Sequence, residues 1–391
     1  MIFVKTNQLK QGMRLARPIY NKDGVLLYER NSKLSLQGIN SIKAFGLIGL
    51  FILEPAEPVP PMSPDDLVFE RFQTMTVFAL QEELNRVKDG KRGPRLQIIV
   101  NNIVKAYGHL DKKINFIQSL RSKEDYIYKH ALNVGMLCAM MTNGLNMKLE
   151  DRVDTIIAAL VHDVGKLSIP KEMSDRRFFD KEEEELMNFY QLSGFPIIEK
   201  VFSSEPNIKR ICIQTQKALE NFQKGEAADG KIKMVLGAKI LLVAETYDTM
   251  TAMRLNEPPE SEVTAIKYLL NNPTIFETAV VDSLLQSINI LVPGISVELN
   301  TGEKAIVIVN NDYNILRPVV LGFTNNNIMD LSNYMYSDIE IVDIMKTMDN
   351  RYIIDTKTLQ ANGISVETPE EAKIHDSATD DMEEYVPGQF L

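Results

Sequence analysis

Between residue 63 and about residue 290, apolar residues recur with helical spacing, and this pattern constrains the fold more than any other feature. Apolar side chains that recur every three or four residues share one face of a helix, and that face must pack against other helices. The pattern predicts a mainly α protein with an all-helical body and short connections. The predicted helices cover residues 63–87, 95–120, 125–145, 148–163, 181–190, 193–202, 206–222, 234–253 and 260–271.

Shorter apolar runs with strand character flank this body. Before it, strands are predicted at residues 2–5, 14–20, 25–28 and 47–53, with a turn at 21–24 and a helix capped by Ser35. After it, runs at 296–299, 304–309 and 318–322 predict a small antiparallel sheet. The predicted parts are a small mixed α/β accessory domain (1–54), a proline-rich linker (55–62), the helical domain (63–292), a small β extension (293–345) and a C-terminal segment (346–391).

The C-terminal segment ends in an acidic tail. Residues 367–391 contain eight acidic residues and one lysine, a composition that predicts disorder. This tail supplies most of the formal net charge of −10, so the chain offers no basic surface for DNA. Cys138 and Cys212 lie among apolar residues, as reduced thiols do, and the longest apolar segments fall far short of the ~20 residues of a membrane span. We therefore expect a cytoplasmic protein that binds neither DNA nor a membrane.

The stretch 158–170 contains the residues with the clearest chemical potential. An apolar run ends in His162-Asp163, and Lys166 follows His162 by one helical turn, so these side chains point the same way. Gly165 and Pro170 predict that the helix ends here. Imidazole and carboxylate groups are ligands of divalent metals, so a metal site is one interpretation of this stretch.

Further candidate ligands lie on predicted helices before and after this stretch. His130 lies on the helix at 125–145, while Glu245 and Asp248 share one face of the helix at 234–253. Each has a simpler interpretation when taken alone, because a single histidine on an apolar helix is usually structural and paired acids usually face solvent. Their combination, with each residue set in an apolar helix, favours a metal site.

These residues resemble motifs of the HD-GYP family of cyclic di-GMP phosphodiesterases, which belongs to the HD superfamily of metal-dependent phosphohydrolases. Residues 162–170 are similar to the family's His-Asp-x-Gly-Lys-x-x-x-Pro motif, residues 125–134 to the segment with its first histidine, and residues 243–250 to its Val-Ala-Asp-x-Tyr-Asp-x-Met helix. The resemblance implies a divalent metal, Mn, Fe or Mg, held by His130, His162, Asp163 and Glu245.

The Gly-Tyr-Pro half of the family pattern is degenerate. Residues 214–225 contain neither the expected histidines nor Gly-Tyr-Pro, Tyr190 stands at another histidine position, and Glu245 replaces an aspartate. Three histidine ligands of the family are therefore missing. We expect one metal ion at most, or none, with Asp248 and Lys217 as auxiliary residues.

Two functions from different classes remain open. The first is a phosphohydrolase of the cyclic di-GMP phosphodiesterase type with weak or altered activity, in which metal-activated water attacks in line, Lys166 contacts the phosphate and Asp163 orients the water. The second is a catalytically inactive HD-GYP-like domain that acts as a nucleotide sensor or a protein-interaction scaffold in bacterial signalling. The expected partners are a cyclic dinucleotide or another nucleotide, signalling proteins and a second copy of this chain in a homodimer.

Overall fold

The computed structural model describes residues 2–20, 25–45, 47–53, 63–170, 181–223, 234–253, 259–324 and 326–345. Three features predicted from the sequence, the turn at 21–24, the linker at 55–62 and the C-terminal segment at 346–391, lie outside these residues. Among the helices that are described, none combines the length and the apolar character that crossing a bilayer requires.

The N-terminal region, residues 2–53, is a mixed α/β unit with its own apolar core. Its strands are β1 (Ile2–Lys5), β2 (Arg14–Leu15), β3 (Ile19–Tyr20), β4 (Leu26–Tyr28) and β5 (Gly49–Leu53). They form an antiparallel sheet in the order β1-β5-β2 and a separate β3-β4 pair. Helix α1 (Leu36–Ala44) begins after Ser35, whose hydroxyl accepts the N–H of Gly38 at 3.0 Å. Leu15, Ile42 and Leu50 are buried in the core of this region.

The predicted mainly α fold is confirmed. The helices of the body are α2 (Pro64–Lys88), α3 (Leu96–Tyr107), α4 (Tyr126–Gly144), α5 (Leu149–Val161), α6 (Lys181–Val201), α7 (Pro206–Gln223), α8 (Leu236–Thr251), α9 (Glu262–Asn271) and α10 (Thr278–Ser287). Helix α4 is buried on almost all sides, as expected for a helix that is apolar around its whole circumference. Helices α5 and α8 both pack against it and against each other, so these three helices position the candidate site.

The predicted helix at 95–120 ends much earlier than its apolar pattern suggests. Gly108 caps α3 by donating its N–H to the carbonyl of Val104 at 2.8 Å. Beyond this point the backbone forms hydrogen bonds with distant parts of the chain. Ile114 donates its N–H to the carbonyl of Ser287, and its own carbonyl accepts from the N–H of Asn289. Residues 117–122 consequently run as a non-helical segment beside the N-terminal region and α4.

The two helices predicted at 181–190 and 193–202 are a single helix, α6, with Pro196 inside it. Proline removes one backbone donor from a helix. The helix continues through it because Phe195 and Ile198, on the C-terminal half of α6, and Phe202, which directly follows the helix, are buried in the main core. Gly194 packs directly against Gly165, and a side chain at Gly165 would overlap the backbone of Tyr190 and Gln191.

A five-stranded antiparallel sheet follows the helices in the order β10-β6-β7-β8-β9. Its strands are β6 (Ser296–Leu299), β7 (Lys304–Val309), β8 (Val319–Gly322), β9 (Ile328–Asp330) and β10 (Ile341–Ile344). The first two match the predicted ranges, and β8 is one residue shorter. The small antiparallel β segment predicted after the helices is therefore confirmed, with β9 and β10 as additional strands.

The buried carboxyl group of Glu70, on the face of α2 near the N-terminal region, is expected to make the free energy of unfolding depend on pH. Burial, and secondarily the charge of Asp66, raise the pKa of Glu70 to about 7, although Arg17 and Arg30 favour its ionised form. A carboxyl group with a raised pKa in the folded state contributes stability below its unfolded pKa, and this contribution is lost as the pH rises to about 7. The shift corresponds to about 3 kcal/mol.

We therefore expect Glu70→Gln to have a higher free energy of unfolding than the wild type at pH 8, by about 3 kcal/mol. At pH 5 the two proteins are expected to agree within about 1 kcal/mol. Urea unfolding at both pH values measures the difference. A variant that is no more stable than the wild type at pH 8 would contradict the prediction.

Candidate metal centre

The candidate residues converge where α4, α5 and α8 meet. His162 caps the C-terminus of α5, and Asp163 and Lys166 lie at the 3-10 helix Val164–Ser168 that follows. His130 lies one turn into α4, and Glu245 lies on α8. His162 and Asp163 are buried and face the other two helices, where His162 contacts Glu245 and Asp163 approaches His130.

Glu245 contacts both histidines. Its Oε2 lies 2.6 Å from His130 Nε2 and 3.0 Å from His162 Nε2. The candidate ligand atoms of these three residues all lie within 4.8 Å of one another. His162 Nδ1 bonds to the carbonyl of Ala159 at 2.7 Å, which fixes the ring and assigns the proton to Nδ1. Two imidazole nitrogens and one carboxylate oxygen therefore converge on one point.

Asp163 and Lys166 flank this group. Asp163 Oδ1 lies 3.6 Å from His162 Nε2, and its Oδ2 lies 3.8 Å from His130 Nε2. Oδ2 also accepts a hydrogen bond from Lys166 Nζ at 2.7 Å. The carboxylate of Asp163 is buried, whereas the Lys166 side chain is 35% exposed. The positively charged ammonium group of Lys166 is therefore held beside the candidate metal ligands.

Asp248 lies behind His130 and does not face the cavity. Its Oδ2 lies 2.7 Å from His130 Nδ1, and both of its oxygens accept from Arg121 Nη2, at 2.6 and 2.7 Å. Gln118 and Asn133 donate to Oδ1 at 3.1 and 3.0 Å. Asp248 therefore contacts the candidate site only through the imidazole of His130, and its auxiliary role stays a prediction. The sequence did not indicate Arg121, Gln118 or Asn133, because none belongs to a pattern of candidate ligands.

Charge complementarity holds the buried groups in their ionised forms. Burial favours the neutral forms, but the charge of Glu245 and the hydrogen bonds of Asp248 and Glu245 raise the pKa of His130 well above its usual value. The opposite charges of the two histidines hold the pKa of Glu245 well below its usual range despite its burial. Burial also raises the pKa of Asp248, but Arg121 and His130 together outweigh this effect and lower that pKa to about 2. These charges favour the protonated forms of both imidazoles, so binding of a metal cation would release protons.

The centre forms a charged part of the wall of a cavity of about 720 Å³. His130, His162, Asp163, Lys166 and Glu245 all line this cavity, as do Tyr126 and Thr249. Apolar and aromatic residues line much of the rest: Ile127, Met187, Leu219, Phe222, Met250 and Tyr268. The neutral amides Asn188, Gln191 and Gln216 also contribute to the wall.

Lys217, predicted as an auxiliary residue, is exposed and does not line this cavity. Its neighbour Gln216 lines the cavity instead, because consecutive residues of a helix point about 100° apart. The Lys217 prediction is therefore corrected by the orientation of α7. Tyr190, at the position of a missing histidine, is likewise not among the cavity-lining residues, whereas Gln191 is.

The HD domain family model matches residues 115–274 of the chain. The matched range contains all four candidate ligands, both auxiliary residues and the whole cavity described above. This part of the chain is therefore similar to HD domains, a kind of domain that binds divalent metals and defines a superfamily of metal-dependent phosphohydrolases. The search of curated proteins found no match to the chain.

Proposed function

We propose that this protein is a phosphohydrolase that uses a single divalent metal ion and acts on a nucleotide phosphodiester of the cyclic di-GMP type. The observation that carries the proposal is the convergence of His130, His162 and Glu245 on one point beside Asp163 and Lys166. The cavity combines this charged part with an apolar and aromatic remainder, a combination that suits a phosphate joined to a base and a sugar.

The residues present fit one divalent ion. Two imidazoles and the carboxylate of Glu245, with Asp163 beside them, form a mixed N/O donor set that suits the expected Mn, Fe or Mg. A second ion would lie close to the Lys166 ammonium group, which already occupies Asp163 Oδ2 at 2.7 Å. Like charges at such separations repel strongly inside a protein, so Lys166 opposes a second metal ion.

A metal bound here would supply Lewis acidity, which lowers the pKa of a water molecule and neutralises charge on the phosphoryl group. The chain's own residues provide the positioning. Asp163 is placed to accept a hydrogen bond from the attacking water through Oδ1, while Lys166 holds Oδ2. Lys166 is partly exposed to the cavity and is placed to contact a non-bridging phosphate oxygen.

A second candidate function is a catalytically inactive nucleotide sensor or protein-interaction scaffold. The observation in its favour is that the buried charges are matched without a metal: Glu245 contacts both imidazoles, and Lys166 pairs with Asp163. These ion pairs stabilise the cavity in the absence of a metal, so that it could bind a ligand without catalysing a reaction.

Metal analysis and turnover assays on the same purified protein separate the two functions. We expect the protein to contain about one divalent ion and to hydrolyse cyclic di-GMP or a nitrophenyl phosphodiester with Mn²⁺. Asp163→Asn is expected to lower turnover at least about 100-fold, since acid–base positioning contributes about 10²- to 10⁴-fold. The control Asp282→Asn changes an exposed carboxylate on α10 and is expected to leave turnover unchanged. Trace metal with no turnover on either substrate would rule out the enzyme.

A further inference from the structure

Arg121 is connected to the candidate metal centre through two side chains. Its guanidinium is fully buried, and Nη2 donates to both oxygens of Asp248 at 2.6 and 2.7 Å. Asp248 in turn lies 2.7 Å from His130 Nδ1. A carboxylate at Nδ1 places the ring proton there and leaves Nε2 to face the ligand side of the imidazole. The position of Arg121 therefore affects the orientation and tautomer of His130.

The remaining contacts of Asp248 limit its movement. Gln118 Nε2 donates to Asp248 Oδ1 and to the hydroxyl of Thr251, at 3.1 and 2.8 Å. Asn133 also donates to Oδ1, at 3.0 Å, and its own carbonyl oxygen accepts from Gln73 at 2.8 Å. The carboxylate can thus turn only if this buried network breaks. Because Gln118 and Arg121 lie on the same short segment, movement of that segment would disturb two of the donors together.

The backbone of the same segment, residues 118–122, is held by the N-terminal region. Ile48 donates its N–H to the carbonyl of Arg121 at 2.8 Å, and Leu47 forms an antiparallel bridge with Ser122. Arg17 Nη1 donates to the carbonyl of Gln118 at 2.6 Å. Leu120, between these contacts, packs against the apolar core of the N-terminal region. One side of the segment therefore contacts the N-terminal region while its side chains reach the network behind His130.

We propose that Arg121 is a positioning residue for the metal centre and that the N-terminal region holds it in place, so that metal binding and the docking of this region are coupled. This inference rests on the metal site of the proposed function. Any event that displaces Leu47 and Ile48, which directly precede the central strand β5, would move Arg121 and weaken the metal site. By reciprocity, a bound metal strengthens the contact between Ile48 and Arg121 by the same factor.

Hydrogen exchange on the full wild-type chain tests the reciprocal effect. Mn²⁺ is expected to slow exchange of the Ile48 amide at least about fivefold, the lower end of typical coupling between sites. The control is the Leu299 amide, which donates to the carbonyl of Glu303 in the sheet β6–β10 at 2.9 Å and is expected to be unaffected. Equal exchange of Ile48 with and without saturating Mn²⁺ would overturn the coupling to the N-terminal region.

Isothermal titration with Mn²⁺ tests the positioning role. Arg121→Met is expected to weaken Mn²⁺ binding about 10- to 100-fold, as for other groups that hold a ligand, and Arg121→Lys is expected to restore part of the affinity. The control Arg152→Met removes another buried arginine, which bonds the carbonyl of Gly108 and lies ten residues before His162 on α5. Its Mn²⁺ affinity should equal that of the wild type even though it loses stability.

The outcomes distinguish the two proposals. If the wild type does not bind Mn²⁺, the proposed function fails together with this inference. If the wild type binds Mn²⁺ and both Arg121→Met and Arg121→Lys bind it with the same affinity as the wild type, only the positioning role is wrong. If Arg121→Met does not fold, the positioning role is tested by the Mn²⁺ affinity of Arg121→Lys. The coupling is then tested by hydrogen exchange of the Ile48 amide in the wild type.

Discussion

Asp248→Asn is expected to lower the free energy of unfolding by about 3 to 5 kcal/mol, the usual cost of breaking a buried ion pair. Neither side chain of the Arg121–Asp248 pair is exposed, so the arginine would be left as an uncompensated charge in the interior. The asparagine keeps the size of the side chain, so the loss reports on charge and not on a cavity. Urea unfolding of the metal-free protein at neutral pH measures the effect.

Two comparisons make this result specific. Asp65→Asn breaks an ion pair of the same length, 2.6 Å, with Lys112, but both partners are about two-thirds exposed. It is expected to cost less than about 1 kcal/mol because water screens such pairs. The double variant Arg121→Met with Asp248→Asn should be more stable than Asp248→Asn alone, since it removes the unpaired charge. A loss below about 1 kcal/mol in Asp248→Asn would contradict the prediction.

Glu245→Gln is expected to weaken Mn²⁺ binding by at least about 100-fold. Its carboxylate contacts both imidazoles, so the substitution removes the negative charge nearest to the point where the ligand atoms converge. Loss of a group that merely supports a ligand costs about 10- to 100-fold in affinity, and a direct ligand is expected to cost at least the upper end of that range. Titration calorimetry with Mn²⁺ measures the change directly, without an assay of turnover.

The matched control is Glu260→Gln. Glu260 also lines the cavity, but it does not belong to the group of three residues whose ligand atoms converge. Its substitution removes the same charge from the same cavity and is expected to change Mn²⁺ affinity by less than about threefold, because Glu260 supplies no ligand atom and solvent partly screens its half-buried charge. Equal losses in the two variants would show that the general charge of the cavity, and not coordination by Glu245, attracts the metal.

Much of the fold follows from local patterns in the sequence. Helical spacing of apolar residues places α2, α4, α5, α7, α8 and α9 to within a few residues, and Ser35 and Ser63 cap their helices as their residue types suggest. The two strands β6 and β7 also match their predicted ranges. Such features depend on residues near one another in the chain, so the sequence contains enough information to predict them.

The group of His130, His162, Asp163 and Glu245 was also indicated before the fold was known. Each is a metal-ligating residue type in an apolar helical setting, and HD motifs link them across the chain. The structure brings them together in the wall of one cavity. Their roles as ligands remain predictions that the experiments above test.

Features that depend on distant parts of the chain could not be predicted. The helix after residue 95 ends at Tyr107 because the following backbone pairs with residues 287 and 289 and with the N-terminal region. Asp248 was correctly placed on the same helix face as Glu245, yet its burial behind His130 depends on Arg121, which lies 127 residues earlier in the chain. Helical spacing states which residues share a face, but it does not state what packs against that face. The ligand types are thus evident from the sequence, whereas the buried charge network that orients them arises from packing between helices and the N-terminal sheet.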